Sequence, residues 1–121
     1  MLFDTTILVD YLRGREEASD LFEAQDERPR ISVTSILELY AGLKGRREEQ
    51  RTEQLLFQVA SLPVTAEIAQ RAGVFLRHYQ ASHGIAAIDA IIAATAEHHG
   101  LRLATLNVKH FPMFPKLKRA Y

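Results

Sequence analysis

Four short, mainly apolar runs constrain this chain more than any other feature: Met1–Phe3, Ile31–Val33, Leu62–Val64 and Leu101–Thr105. None is long enough to make a helix, and longer stretches with helical periodicity lie between them. Only a strand covered on both sides tolerates apolar residues at consecutive positions. The alternation therefore predicts an α/β fold, with βα units building a parallel sheet that helices cover on both faces. Helices are expected over Ile7–Gly14, Glu16–Gln25, Ile36–Gly45, Glu48–Ala60, Ala66–Gln80 and Ala86–Gly100. Thr5 or Thr6 caps the first, Thr34-Ser35 opens the third, and Gly14 and Gly100 act as stops. A last short strand is expected within Leu117–Tyr121.

Length and composition narrow the class. At 121 residues, 47% apolar and 25% charged, the sequence reads as one globular domain over residues 1–121. No uncharged apolar run approaches the roughly 20 residues of a membrane span. Met1 leads straight into LFDTTILVDYL without the basic and long apolar regions of a secretory signal. Cysteine is absent, which excludes disulfides, thiolate nucleophiles and Cys-based zinc sites and fits a cytoplasmic location. The formal net charge is zero, from 15 basic and 15 acidic residues, so global electrostatics is not the means by which this chain would hold nucleic acid. Local basic clusters at Arg13, Lys44–Arg47, Lys109-His110 and Lys116–Arg119 leave room for a charged rim, or for ordinary solvated surface.

One segment breaks the pattern. AAIDAIIAATAEHHG, from Ala86 to Gly100, sets Asp89 among alanines and isoleucines. A carboxylate removed from water without a partner costs several kcal/mol, so its place there needs a reason. Asp4 lies just past the first expected strand, Glu38 in the first turn after the second, and Asn107 just past LRLAT. In an open α/β sheet, ligands bind in the crevice beyond the carboxyl ends of the strands, where these four positions would meet. Each has an ordinary explanation. Ser35-x-x-Glu38 fits a capping box, Asp89 suits a helix's first turn, Asp4 suits a strand end and Asn107 a turn. Taken together, three carboxylates and an amide oxygen on one rim form an all-oxygen set suited to Mg²⁺ or Mn²⁺. Such an ion lowers the pKa of a bound water and neutralises charge on a phosphodiester.

DTTILVDYLRG, SVTSILELYAG, IAAIDAIIAATAEHHGLRLATLN and VKHFP resemble, in that order and over nearly the full chain, the PIN-domain ribonucleases, specifically VapC-type toxins of bacterial toxin–antitoxin pairs. The resemblance implies a PIN-like three-layer α/β/α sandwich with a short-stranded central parallel sheet. It implies a Mg²⁺- or Mn²⁺-dependent endoribonuclease that acts on RNA, usually tRNA or rRNA, and inhibits translation. Asp4, Glu38 and Asp89 match the family's acids and would hold the metal or its water. Thr6 and Thr105 match hydroxyl positions that would support those ligands. At the fourth position this chain has Asn107 where many relatives have Asp, and His110 where another acid is frequent, so one tightly held cation is expected. The closer expectation for His110 is packing on Phe111. Asp10 also belongs to the family's opening motif, with a rim or a structural role open to it. A cognate antitoxin would be the partner, with Leu21, Phe22, Leu55, Leu56 and Phe57 available to line its groove or to pack the core. Homodimers are common in the family.

Two rivals remain in view. A phosphohydrolase with an aspartyl nucleophile wants a second acid two residues after the first, where this chain has Thr6. A catalytically weakened PIN-like RNA-binding or regulatory module is suggested only by Asn107 and His110. A phosphoacceptor receiver domain is excluded, since LPVTAE stands where its central Asp is required.

Overall fold

The computed structural model describes residues 1–121. Its strands are β1 (Leu2–Phe3), β2 (Arg30–Ser32), β3 (Ala60–Leu62) and β4 (Leu103–Ala104). Its helices are α1 (Thr5–Leu12), α2 (Glu16–Glu23), α3 (Val33–Ala41), α4 (Arg46–Phe57), α5 (Ala66–His83) and α6 (Ala87–His99), followed by a 3₁₀ turn at Val108–His110. The strands form one sheet in the order β3-β2-β1-β4, and every pairing is parallel. The chain builds outward from β1 in one direction and returns to its other side with β4. That reversal makes the carboxyl ends of β1 and β4 the topological switch point, the place where α/β sheets bind ligands.

The pleat assigns each strand residue to one of two cores. Leu2 pairs with Leu103 and Phe3 with Ala104. Successive side chains leave a strand on opposite faces. Leu2 and Leu103 accordingly join Ile68, Phe75, Ile85 and the buried face of α6, whereas Phe3 and Ala104 join Ile7, Leu8, Phe22, Leu39 and Leu55. This is the three-layer α/β/α arrangement expected from the sequence. On α6, Ala90, Ala93, Ala94 and Ala96 are all buried. Their small side chains let the helix lie close to α5 and the sheet, which fixes the height of its first turn above the strand ends.

Several boundaries differ from the sequence expectation, for physical reasons. α1 starts at Thr5 because Asp4 itself takes the cap position, its Oδ1 accepting the Thr5 N–H at 2.8 Å. β2 ends at Ser32, not Val33, because the Ser32 hydroxyl accepts the Thr34 N–H at 3.1 Å and opens α3 there. Glu38 therefore lies in the second turn of α3, and Ser35 caps nothing. The third strand is two residues earlier than Leu62–Val64, because Arg30, Ile31 and Ser32 pair with Ala60, Ser61 and Leu62. α5 runs to His83, where Gly84 adopts φ +61° and closes it. No strand forms within Leu117–Tyr121, where one backbone bond, Ala120 N–H to the Thr105 carbonyl at 2.9 Å, is made to the β4 exit. Of the five residues considered for a partner groove, Phe22 and Leu55 are core and Leu21 and Leu56 pack against it, while Phe57 is exposed. No helix is long and apolar enough to cross a membrane.

Candidate active site

Asp4 leaves β1 directly into the cap of α1, so its carboxylate sits at the switch point with only 4% of the residue exposed. Three donors hold it there. Thr5 N–H reaches Oδ1, while the Thr6 and Thr105 hydroxyls reach Oδ2 at 3.0 and 2.7 Å. Hydrogen bonds to a charged group contribute about 1.5–3 kcal/mol each, whereas burying an ion costs several kcal/mol, so the balance is close. Burial prevails, and with the neighbouring charge of Asp89 it holds the Asp4 carboxyl above its ordinary range despite the three donors.

Glu38 reaches the same corner from α3, which packs against α1. The Thr5 hydroxyl donates to its Oε1 at 2.6 Å and lies 2.9 Å from the Ser35 hydroxyl, itself fully buried. Thr5 thus joins the two acids: its backbone holds Asp4 and its side chain holds Glu38. Sequence reading treated Thr5 and Ser35 only as helix-start residues. The one available signal was a pair of hydroxyls in otherwise apolar helix openings.

Asp89 arrives on α6, which packs against α3. Its Oδ2 accepts the Ala86 N–H at 3.2 Å, so the capping role weighed from the sequence is present. The same oxygen is 3.4 Å from His110 Nδ1. His110 therefore faces Asp89 across the site entrance instead of serving only as packing for Phe111, which is buried in the core. Asn107 lies on the expected rim, but it is exposed and its side-chain amide makes no hydrogen bond. Its backbone N–H donates to the Thr105 hydroxyl at 3.0 Å.

A lone-pair count shows what remains for a ligand. Asp4 Oδ2 is filled by two hydroxyls, but Oδ1 takes one N–H and keeps a lone pair. Glu38 is bonded through Oε1 and Asp89 through Oδ2, which leaves Glu38 Oε2 and Asp89 Oδ1 without protein donors. Asp4 is held through both oxygens and keeps one lone pair on Oδ1, whereas Glu38 and Asp89 are each held through one oxygen and keep the other free of protein donors. No three Asp, Glu or His side chains close into a ready-made cage. An open oxygen set of this kind fits Mg²⁺, which keeps several waters and takes only one or two carboxylates directly. Beside Glu38 a groove of about 450 Å³ runs between α1, α3 and α4, with Val9 and Leu39 on its walls and Arg13, Lys44 and Arg51 along it.

Comparison with known proteins identifies the family and the fold. The model of the PIN domain matches residues 1–116. The chain is 44% identical over 121 residues to the ribonuclease VapC10 of Mycobacterium tuberculosis, covering 98% of this chain and 90% of that protein. It is 40% identical over 124 residues to the ribonuclease VapC19 of the same organism, covering 99% and 98% respectively. Among solved structures, a toxin–antitoxin complex from Klebsiella pneumoniae superposes with a TM-score of 0.84 at 35% identity, over 99% of this chain and 97% of that one.

Proposed function

The chain belongs to the PIN-domain family, and on that premise we propose that it is an endoribonuclease, the toxin of a toxin–antitoxin pair, dependent on Mg²⁺ or Mn²⁺. The observation that carries this reading is the set of open acceptor sites: three acids at the switch point, each held by protein donors and each keeping acceptor capacity, Asp4 on Oδ1, Glu38 on Oε2 and Asp89 on Oδ1. Asp4 and Asp89 would hold the metal directly, with Glu38 holding it or orienting its water, and Asn107 supplying an amide oxygen from the rim. When bound, the ion would lower the pKa of a water and offset charge on the scissile phosphate.

The chain's own groups do the remaining work. Thr105, Thr6 and the Thr5 N–H keep Asp4 fixed, so the ligand does not reorganise on binding. Thr5 keeps Glu38 facing the same corner, where its unbonded oxygen can accept a proton from the attacking water. His110, at the entrance, is placed to meet a phosphate oxygen. Arg13, Lys44 and Arg51 line a path for the RNA backbone away from the acids. We take tRNA or rRNA as the target, arrest of translation in the cytoplasm as the consequence, and a cognate antitoxin as the partner that relieves it. Residues 1–121 act as one domain in this reading, and the exposed Leu37 and Tyr40 of α3 suit pairing as a homodimer.

The test is cleavage of structured RNA by the purified chain with Mg²⁺ or Mn²⁺. Cleavage should vanish with EDTA and in Asp89→Asn, while circular dichroism stays unchanged. RNA binding without cleavage in either metal would instead favour the weakened binding module.

A further inference from the structure

Asp10 has no part in the chemistry above, although it stands in the opening DTTILVDYLRG segment with the first acid. The structure gives it one side-chain hydrogen-bond partner, 111 positions away: the Tyr121 hydroxyl donates to Asp10 Oδ2 at 2.7 Å. Next to it, the Ala120 N–H donates to the Thr105 carbonyl at 2.9 Å. Ala120 and Tyr121 both pack against the core on that face of the sheet. Two consecutive residues therefore bind two separate elements: α1 through Asp10, and the β4 exit through Thr105.

Those are the elements that meet at Asp4. Its carboxylate caps α1 and accepts the Thr105 hydroxyl at 2.7 Å. Thr105 follows a strand of only two residues, so little ladder hydrogen bonding fixes its height relative to α1. The Ala120 bond supplies an additional constraint on Thr105, and the Asp10–Tyr121 bond references that constraint to α1. Burial and the adjacent Asp10 carboxylate hold the Tyr121 hydroxyl protonated far above its ordinary range, so the donor persists at all working pH.

We propose that Asp10 and Tyr121 are positioning residues, which set the Thr105 hydroxyl against Asp4 and thereby the readiness of the site for a divalent cation. This rests on the metal-dependent reading above, and the test separates the two. Mn²⁺ binding is followed by electron paramagnetic resonance, alongside kcat and KM for RNA cleavage, in the wild type and in Tyr121→Phe, Asp10→Ala, Asp10→Asn and Arg15→Ala. Removing a ligand's supporting partner costs about 10–100-fold in metal affinity, and one step further out the expected loss is about three- to tenfold.

Tyr121→Phe and Asp10→Ala should each show that loss in Mn²⁺ affinity and kcat with KM nearly constant, and their double variant should lose no more than either alone. Asp10→Asn keeps an acceptor for the Tyr121 hydroxyl and should retain most of the affinity. Arg15, whose guanidinium lies 6.0 Å from the Tyr121 ring, makes neither bond, and Arg15→Ala should match the wild type. Unchanged Mn²⁺ affinity in Tyr121→Phe, or equal losses in all four variants, overturns the proposal while leaving the nuclease reading intact. A wild type that neither binds Mn²⁺ nor cleaves RNA overturns both.

Discussion

The Asp4 corner and the Asp89 corner hold the same functional group under opposite conditions. Asp4 is almost wholly buried, with three donors on its two oxygens, one of them across 101 residues of chain. The Asp89 side chain is 18% exposed, bonded to its own helix start and faced by a half-exposed imidazole. One corner is built before any ligand arrives, and its construction leaves a carboxylate that burial holds above its ordinary pKa. The other is partly open, with one carboxylate oxygen free of protein donors. The difference teaches where the fold resists a charge: burial works against the Asp4 carboxylate, whereas Asp89 is partly open and bonded to its own helix start.

Paired substitutions expose this contrast most strongly. Under the proposed metal-dependent reading, Asp4→Asn and Asp89→Asn should each lower RNA cleavage by at least about 100-fold, as loss of a metal ligand would remove several kcal/mol of transition-state stabilisation. Their metal-free melting temperatures should diverge. Asp4→Asn should melt higher than wild type, because an amide avoids the buried charge and the Thr6 and Thr105 hydroxyls can accept from it. Asp89→Asn should melt close to wild type, its amide oxygen still accepting the Ala86 N–H. A clear drop in melting temperature for Asp4→Asn would make that residue a structural cap.

Thr105→Val keeps the side-chain shape at the β4 exit, removes one donor from Asp4 and leaves the Asn107 N–H without its hydroxyl acceptor. Mn²⁺ affinity, read by calorimetry, should fall about 10–100-fold. The same corner governs pH dependence. An acid whose folded pKa is raised leaves the native state holding more protons than the unfolded state, so metal-free stability falls as pH rises. The fall should begin near the ordinary value of 3.8 and end above Asp4's raised one, and it should flatten in Asp4→Asn in urea titrations across that window. The smallest effect belongs to the open corner. His110→Ala should change cleavage by less than about fivefold, because a partly exposed pair at 3.4 Å contributes at most about 1 kcal/mol. A larger loss in single-turnover rate would assign His110 a direct part in the chemistry.

The layered architecture and three of the acids were legible in the sequence because both depend on local signals. Apolar runs mark strands buried on two faces, and an acid that interrupts an apolar helix is conspicuous. Element boundaries were less legible because Ser32 ends β2 and Asp4 directly follows β1, and each caps the next helix with no loop to separate strand from helix. The third strand slipped by two residues because Val59, Leu62 and Val64 are equally suitable apolar candidates, and only pairing with Arg30–Ser32 selects the register. The network around the acids was invisible for a different reason. Thr5 to Glu38, Thr105 to Asp4 and Tyr121 to Asp10 join residues 33, 101 and 111 positions apart. No sequence period encodes such distances; they follow from sheet order.

The most direct measurement is an anomalous difference map from crystals soaked in Mn²⁺. A single strong peak within coordination distance of Asp4 Oδ1 or Asp89 Oδ1, with Glu38 Oε2 in its water shell, is the predicted result. A map with no peak at this corner, or with manganese bound elsewhere while RNA is still cleaved, would contradict the assignment of these three acids to the metal.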